Sequence, residues 1–199
     1  MTAFSMRACA SIADLARQLF LLLALVSFTA LAADESRITH AEIVEGEGGY
    51  VLNADIELDL NSRLTDAVTR GVALFFVAEV IIERPRWYWM NEVVAERELN
   101  YRISYHAITR SYRLSIGSLH QSFDSLDSAL LTMQRIRNWQ VAGLEDLTPG
   151  VSHEASLRFR LDTAQLPKPF QVTAIGSREW NVGTDWLRWT FLPGAATSR

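Results

Sequence analysis

Apolar and polar residues alternate along four segments of this chain, and such alternation is typical of strands that bury only one face. The four segments are residues 52–60, 99–105, 112–116 and 155–161. In the first of them, Leu52, Ala54 and Ile56 alternate with Asn53 and Asp55. A sheet with one apolar and one polar face is normally antiparallel. The pattern therefore predicts antiparallel strands with one solvated face.

Residues 74–82 differ from these segments because they are apolar on both faces, apart from Glu79. We expect them to form a central strand that is covered on two sides. Shorter apolar runs at residues 38–44 and 170–175 predict two further strands, and residues 106–110 form a connection of hairpin length. The chain is therefore expected to be mainly β.

Two segments carry apolar residues at helical spacing. In residues 124–138 the apolar positions are Leu126, Ala129, Leu130, Met133 and Ile136. They recur every three or four residues, and Asp124 is a suitable N-cap. A shorter helix is predicted for residues 62–70, where Gly71 can adopt the left-handed conformation that closes a helix.

These elements predict an antiparallel β-sandwich, immunoglobulin-like in its general architecture, with one or two short amphipathic helices. Two facing sheets bury evenly amphipathic strands efficiently. The alternative is an α+β fold in which a single antiparallel sheet is backed by helices. In either case, residues 38–192 are expected to form a single β-rich domain and residues 193–199 a disordered tail.

The N-terminal segment has the order of features that defines a secretory signal peptide. Arg7 and Arg17 precede an apolar run at residues 19–28, and the small residues Ala30 and Ala32 follow it. This apolar run is shorter than the roughly 20 residues that a membrane-spanning helix needs. The segment therefore predicts export.

Cleavage after Ala32 would give a signal peptide at residues 1–32, a flexible start at residues 33–37 and a soluble periplasmic protein without a transmembrane segment. The alternative is an uncleaved segment that anchors the protein in the inner membrane. The single cysteine, Cys9, would be lost with the signal peptide. The mature domain is therefore expected to fold without a disulfide and to act without a thiolate.

The charge balance argues against nucleic acid as a partner. The chain has 19 basic and 23 acidic residues and a formal net charge of −4, whereas nucleic-acid-binding domains are usually basic. Its four histidines are widely separated in the sequence and match no metal-binding motif. We expect neither a metal nor a cofactor.

Residues 115–122 place hydroxyl groups beside His120, and a hydroxyl next to an imidazole is one arrangement for nucleophilic catalysis. The nucleophile elbow of the α/β-hydrolases needs a glycine two residues before and two residues after the serine. This segment contains only Gly117, which adjoins Ser118. The preferred interpretation is a polar loop between the hairpin and the helix, and no residue is assigned as catalytic.

Aromatic residues and arginines are concentrated directly after the predicted central strand. Proline ends the hydrogen bonding of a strand, and this mixture of side chains is enriched at recognition surfaces. We therefore predict a partner-binding surface formed by Arg84, Arg86, Trp87, Tyr88 and Trp89. The alternative is structural: these tryptophans, and those near the C terminus, would fill the ends of a sandwich beneath stacked arginines.

Four segments carry a combined pattern that extends over nearly the whole mature chain: residues 84–89, 101–110, 119–123 and 166–170. In these segments the chain resembles a family of exported proteins of Gram-negative bacteria. The family is a domain of unknown function, sometimes labelled a proline-rich signal-peptide protein and often encoded near a membrane sensor kinase similar to those of nitrogen regulation. The resemblance implies export and a role close to envelope signalling, and it implies no catalytic residue.

The leading hypothesis is a non-catalytic periplasmic binding or adaptor module with a protein partner in the envelope, for which a membrane sensor kinase is one candidate. The alternatives are an envelope hydrolase using His120 and a structural envelope protein. A solvent-facing cleft that holds His120 and a carboxylate would favour the hydrolase. Exposure of Trp87 or Trp89 would favour the binding module.

Overall fold

The computed structural model describes residues 36–88 and 90–194. The strands are β1 (Arg37–Gly46), β2 (Gly49–Glu57), β3 (Leu74–Arg84), β4 (Glu92–His106), β5 (Ser111–Ile116), β6 (Leu119–Phe123), β7 (Arg135–Ala142), β8 (His153–Leu161) and β9 (Leu187–Phe191). The α-helices are α1 (Ser62–Thr69), α2 (Leu126–Met133) and α3 (Lys168–Ala174). The described pairings between strands are all antiparallel.

The smaller sheet has three strands in the order β1, β2, β7. A tight turn joins β1 to β2, and the partners Gly46 and Gly49 lie at its base. Gly49 has a φ of +146°, and a Cβ atom there would lie 2.2 Å from the carbonyl oxygen of Ala142 on β7. Only glycine allows the two backbones to approach so closely at this point.

The larger sheet has six strands in the order β6, β5, β4, β3, β8, β9. Strand β3 lies in its interior, hydrogen-bonded to β4 on one side and to β8 on the other. Its even-numbered residues from Leu74 to Ile82 are buried in the core, whereas Glu79 lies on the opposite face. The prediction of a central strand at residues 74–82 is confirmed, but its coverage on two sides is only partial, since Phe75, Glu79 and Ile81 on the outer face are half-buried.

The inner faces of the two sheets contribute to one hydrophobic core, to which α1 and α2 also add side chains. The largest fully buried side chains are Phe76, Phe159, Leu52, Leu64, Leu74, Ile82, Ile103, Leu114, Met133, Ile136, Leu147 and Leu157. Phe159 of β8 stacks on Phe76 at a centroid distance of 5.6 Å and meets the Tyr101 ring edge to face. The prediction of a mainly β, antiparallel fold with short helices is confirmed.

Helix α1 begins and ends as its sequence predicts. The side chain of Asn61 accepts a hydrogen bond from the backbone N–H of Leu64 at 3.0 Å, and Gly71 follows the helix with a φ of +89°. Leu64, Ala67 and Val68 form its buried face.

The prediction of one helix over residues 124–138 is wrong in its second half. Ser125 caps α2, which ends at Met133, and residues from Arg135 onward form β7. The apolar residue Ile136 fits the helical period, but it also fits a strand whose alternate residues face the core. One edge of β2 pairs with β1, and residues from Arg135 onward supply hydrogen-bonding partners for its other edge. These hydrogen bonds between strands favour β7 over a longer helix.

Two further local predictions are corrected. Residues 170–175 were expected to be extended, but Lys168–Ala174 is α3, because Pro169 favours the first turn of a helix and cannot donate to a strand ladder. The segment at residues 115–122 is not a loop: it contains the turn and both strands of the β5–β6 hairpin.

The predicted signal peptide at residues 1–32 lies outside the described residues, as do most of the predicted flexible start and residues 195–199 of the predicted tail. Trp89 also lies outside them. Within residues 36–88 and 90–194, no helix combines the length and the apolar character that a bilayer crossing requires.

Candidate functional site

The end of β3 and its connection to β4 hold the residues predicted to bind a partner, four of which are described. Arg84 and Glu92 are opposite each other as the last pair of the two strands. The residues between them, here called the tip, are residues 85–91, of which all but Trp89 are described. The structure therefore brings Arg84, Arg86, Trp87 and Tyr88 together at one end of the larger sheet.

Glu92 holds the base of the tip. Its carboxylate accepts a hydrogen bond from Arg84 Nε at 3.1 Å, also contacts the Nη2 of Arg84, and forms an ion pair with Arg86 Nη2 at 2.5 Å. The hydrogen bonds from Arg84 and then Arg86, together with their positive charges, lower the pKa of Glu92. Both arginines are thus paired with one carboxylate.

The aromatic side chains of the tip are exposed to solvent. Trp87 is 94% exposed, Tyr88 66% and Met90 77%. The Trp87 and Tyr88 rings contact each other edge to face at 5.1 Å, so the two rings form one protruding apolar group. The alternative prediction, in which tryptophans fill the core, is therefore wrong for Trp87.

The same alternative holds in part for two C-terminal tryptophans, one of which is in the core and the other beneath an arginine. Trp180 is only 2% exposed and packs against Phe170 of α3 at 5.7 Å. The guanidinium of Arg158 lies over the ring of Trp186 at 4.5 Å, which is the cation-π stacking that this alternative predicts. These tryptophans are structural, whereas the tip is not packed against the core.

A second ion-pair cluster occupies the outer face of the larger sheet. Glu79 accepts hydrogen bonds from Nε of Arg158 at 3.0 Å and from Nε of Arg160 at 2.9 Å, and both arginines are on the adjacent strand β8. Partial burial tends to raise the pKa of Glu79, but the hydrogen bonds and charges of the two arginines outweigh it and lower the pKa. The two arginines thus neutralise the partly buried carboxylate of Glu79 on the central strand.

His120 faces Ser115 across the β5–β6 hairpin, with 2.8 Å between the imidazole Nδ1 and the serine Oγ. The hydroxyl that the hydrolase alternative requires is therefore Ser115. Among the described residues, no carboxylate forms a hydrogen bond or ion pair with His120. The pair consequently lacks the third group that orients the base in a catalytic triad.

The remaining polar groups offer no metal centre. Within the described parts of the chain, no cluster of three histidine, cysteine or acidic side chains is placed to hold a metal ion. His153 is completely buried, and its Nδ1 lies 2.8 Å from the carbonyl oxygen of Val151. That contact gives His153 a structural role at the start of β8.

Sequence reasoning identified the tip but missed Glu92, which organises it. The signal was present, because residues at equal distances from a hairpin turn become cross-strand partners and Arg84 and Glu92 have opposite charges. It could be recognised only after the start of β4 was known, since the alternation in this strand was detected from residue 99 onward.

A family model described as "Domain of unknown function (DUF4390)" matches residues 33–190. Comparison with curated proteins and with solved structures gives no significant match. The resemblance to an uncharacterised family is thereby confirmed. Because the match extends over most of the sequence, the chain belongs to the DUF4390 family.

Proposed function

We propose that this protein is a non-catalytic periplasmic binding or adaptor module and that the tip is its contact surface. The observation that carries the proposal is the 94% exposure of Trp87 at the end of a hairpin whose base is held by ion pairs. A large aromatic side chain gains much from burial, and tryptophan, tyrosine and arginine are the residues most enriched at binding hot spots.

The shape of the tip indicates the kind of partner. A protruding group cannot enclose a small molecule, so the partner must supply the cavity. Clamping of Arg84 and Arg86 by Glu92 reduces the conformational entropy that these side chains would lose on binding. Both features support docking of the tip into a pocket of another protein.

The location and the partner follow from the sequence rather than from the fold. The predicted signal peptide supports a periplasmic location, with an uncleaved inner-membrane anchor as the alternative. The family resemblance supports a partner in the envelope, for which a membrane sensor kinase is one candidate. We therefore place the module beside a membrane protein whose pocket accepts the tip.

The test is photo-crosslinking in cells with a reactive amino acid at Tyr88, compared with the same group at the exposed position Ile175 of the α3 region. A crosslinked protein specific to position 88 is expected. It should disappear when Arg86 and Trp87 are both replaced by alanine, while the free energy of unfolding stays within about 1 kcal/mol of wild type, as for ordinary surface changes.

Three outcomes would contradict this assignment. Equal crosslinking at both positions, or no crosslinking at position 88, would leave the tip without a partner and favour a structural envelope protein. A large loss of stability in the double variant would show that Trp87 contributes to folding.

The hydrolase alternative has one observation in its favour, the 2.8 Å contact between Ser115 and His120. It predicts turnover of simple ester substrates that is abolished by Ser115→Ala. Activity that is unchanged in this variant would exclude the pair as the source.

A further inference from the structure

The outer face of strands β4, β5 and β6 carries two rows of polar side chains. The register aligns Arg102, Ser115 and His120 in one row, and Ser104, Arg113 and Ser122 in the next. Directly opposite side chains in such a sheet are about 4.5–5.5 Å apart at Cβ. These six residues, here called the basic patch, form a continuous surface of two guanidinium groups, one imidazole and three hydroxyls.

The two arginines of the patch have no acidic partner. Arg102 and Arg113 are exposed, and among the described residues neither forms an ion pair. Arg102 instead lies over the Phe75 ring of β3 at 5.6 Å. The two arginines are diagonal neighbours across strands, a placement of roughly 7–8 Å at which like charges repel each other. The chain keeps this repulsion although it is acidic overall.

The acidic residues of the same face lie at the border of the patch. Glu98 is four residues before Arg102 on β4, and Asp124 follows the end of β6. Glu79 is already occupied by Arg158 and Arg160. The patch therefore keeps its positive charge, and the hydroxyls of Ser104 and Ser122 can donate to the same ligand as its arginines.

His120 adds a further donor to this surface. When the Ser115 hydroxyl donates to Nδ1, the imidazole proton is on Nε2, for which the structure shows no partner among the described residues. Guanidinium groups, hydroxyls and an imidazole N–H are together the donors that bind phosphate oxygens.

We infer that the basic patch docks on the phosphate groups of an anionic phospholipid surface. The side chains lie on an open sheet face, which suits an array of headgroups better than a single enclosed ion. Ile108, in the turn between β4 and β5 just beyond the patch, is 90% exposed and can enter the apolar side of the interface. This inference is independent of the tip, which lies at the other end of β4.

The test compares variants of the full chain in their partition onto vesicles of anionic phospholipid and of zwitterionic phospholipid. Wild type should prefer the anionic vesicles, and Arg102→Gln with Arg113→Gln should lower that partition about 30-fold at low salt, from the usual contribution of one arginine near an anionic surface. The N-terminal sequence is the same in all variants, so a difference in partition between them is attributable to the two arginines.

Two controls separate the patch from general effects. Arg63→Gln with Arg70→Gln removes the same charge from α1 and the residue that follows it, and should leave partition nearly unchanged. Arg102→Lys with Arg113→Lys keeps the charge and should retain most of the binding, which also shows that replacing these arginines does not unfold the sheet.

The inference is overturned if the glutamine pair partitions like wild type or if anionic and zwitterionic vesicles bind equally. Inorganic pyrophosphate tests whether the patch binds a soluble phosphate anion instead of a phospholipid headgroup. If it binds at the patch, as shown by loss of binding in the glutamine pair, and vesicles do not bind there, the ligand is a soluble anion and the lipid assignment is wrong.

Discussion

The guanidinium of Arg97 donates a hydrogen bond to the backbone carbonyl oxygen of Glu96 at 2.8 Å. The carbonyl of Asn100, four residues later, accepts from Gly117 beyond β5, and backbone groups of alternate residues point to the same side of a strand. The Glu96 carbonyl therefore faces the edge of β4 that β5 does not reach, since β5 pairs only with Tyr101 to His106. Arg97 thus donates to a backbone carbonyl on a strand edge that no described strand pairs with.

Arg97→Val should make the protein associate with itself. The change removes both the charge and the hydrogen bond that protect the open edge, and valine favours pairing with a second strand. Sedimentation velocity should show a dimer whose fraction rises with protein concentration. Arg97→Lys, which keeps a charge on the edge, should stay monomeric. A monomeric valine variant at all concentrations would show that the edge is protected by other means.

Glu79→Gln should lower the free energy of unfolding by about 2 kcal/mol at pH 7, because two partly buried guanidinium groups lose their carboxylate. The pKa of Glu79 is lower in the folded protein than its ordinary value of 4.5. Its contribution is therefore complete above pH 4.5 and is lost as the pH falls through the lowered folded-state pKa. Urea titrations should show the difference from wild type shrinking as the pH falls below 4.5.

Glu98→Gln is the matched control for this experiment. Glu98 lies opposite Glu79 on β4 but is exposed and makes no ion pair among the described residues. Its replacement should change stability by less than about 0.5 kcal/mol. An equal loss in both variants would mean that the arginines are not the source of the stabilisation.

Gly49→Ala should destabilise the smaller sheet, because its Cβ would lie 2.2 Å from the Ala142 carbonyl oxygen and the backbone conformation disfavours any side chain. We expect a loss of about 2 kcal/mol or more in urea unfolding. Gly48→Ala is the control, since the nearest atom to its Cβ would be 3.9 Å away. Similar midpoints for the two variants would contradict the close approach of β2 and β7.

Export can be measured directly. Residues 1–35 fused to a reporter that is active only outside the cytoplasm should give activity, and mass spectrometry of the purified protein should find Ala33 at its N terminus. An intact Met1 with an active reporter would establish the anchored alternative. An inactive reporter would contradict export.

The sequence predicted the elements whose pattern is local. Alternation located β2, β5 and β8, although β2 begins and ends three residues earlier than predicted. Helical spacing and the closing glycine located α1. The local pattern failed for β7, because Ile136 satisfies both a helical and a strand period and only the open edge of β2 decides between them. It also failed for β6, a short strand of mostly polar residues that is held by its pairing with β5.

The two candidate surfaces also differ in whether they can be predicted from local sequence. The tip is contiguous in sequence, so its composition was informative by itself. The basic patch is not, because Arg102 and His120 become neighbours only through Ser115 and the register of two hairpins. A one-residue slip in either hairpin would move these side chains to opposite faces. The alternation in β5 fixes which of its residues face outward, but the mostly polar β6 has no such pattern, so its pairing could not be predicted.

Strand β4 extends from Glu92 at the tip to Ser104 in the patch. Twelve residues of extended chain span about 40 Å, and β4 pairs with β3 along nearly all of this length, with one register shift near the tip. Ligands at the two ends could therefore bind at the same time without touching each other. A protein bound by the tip and a surface bound by the patch would then be kept apart by the length of β4, so that this strand acts as a spacer between them.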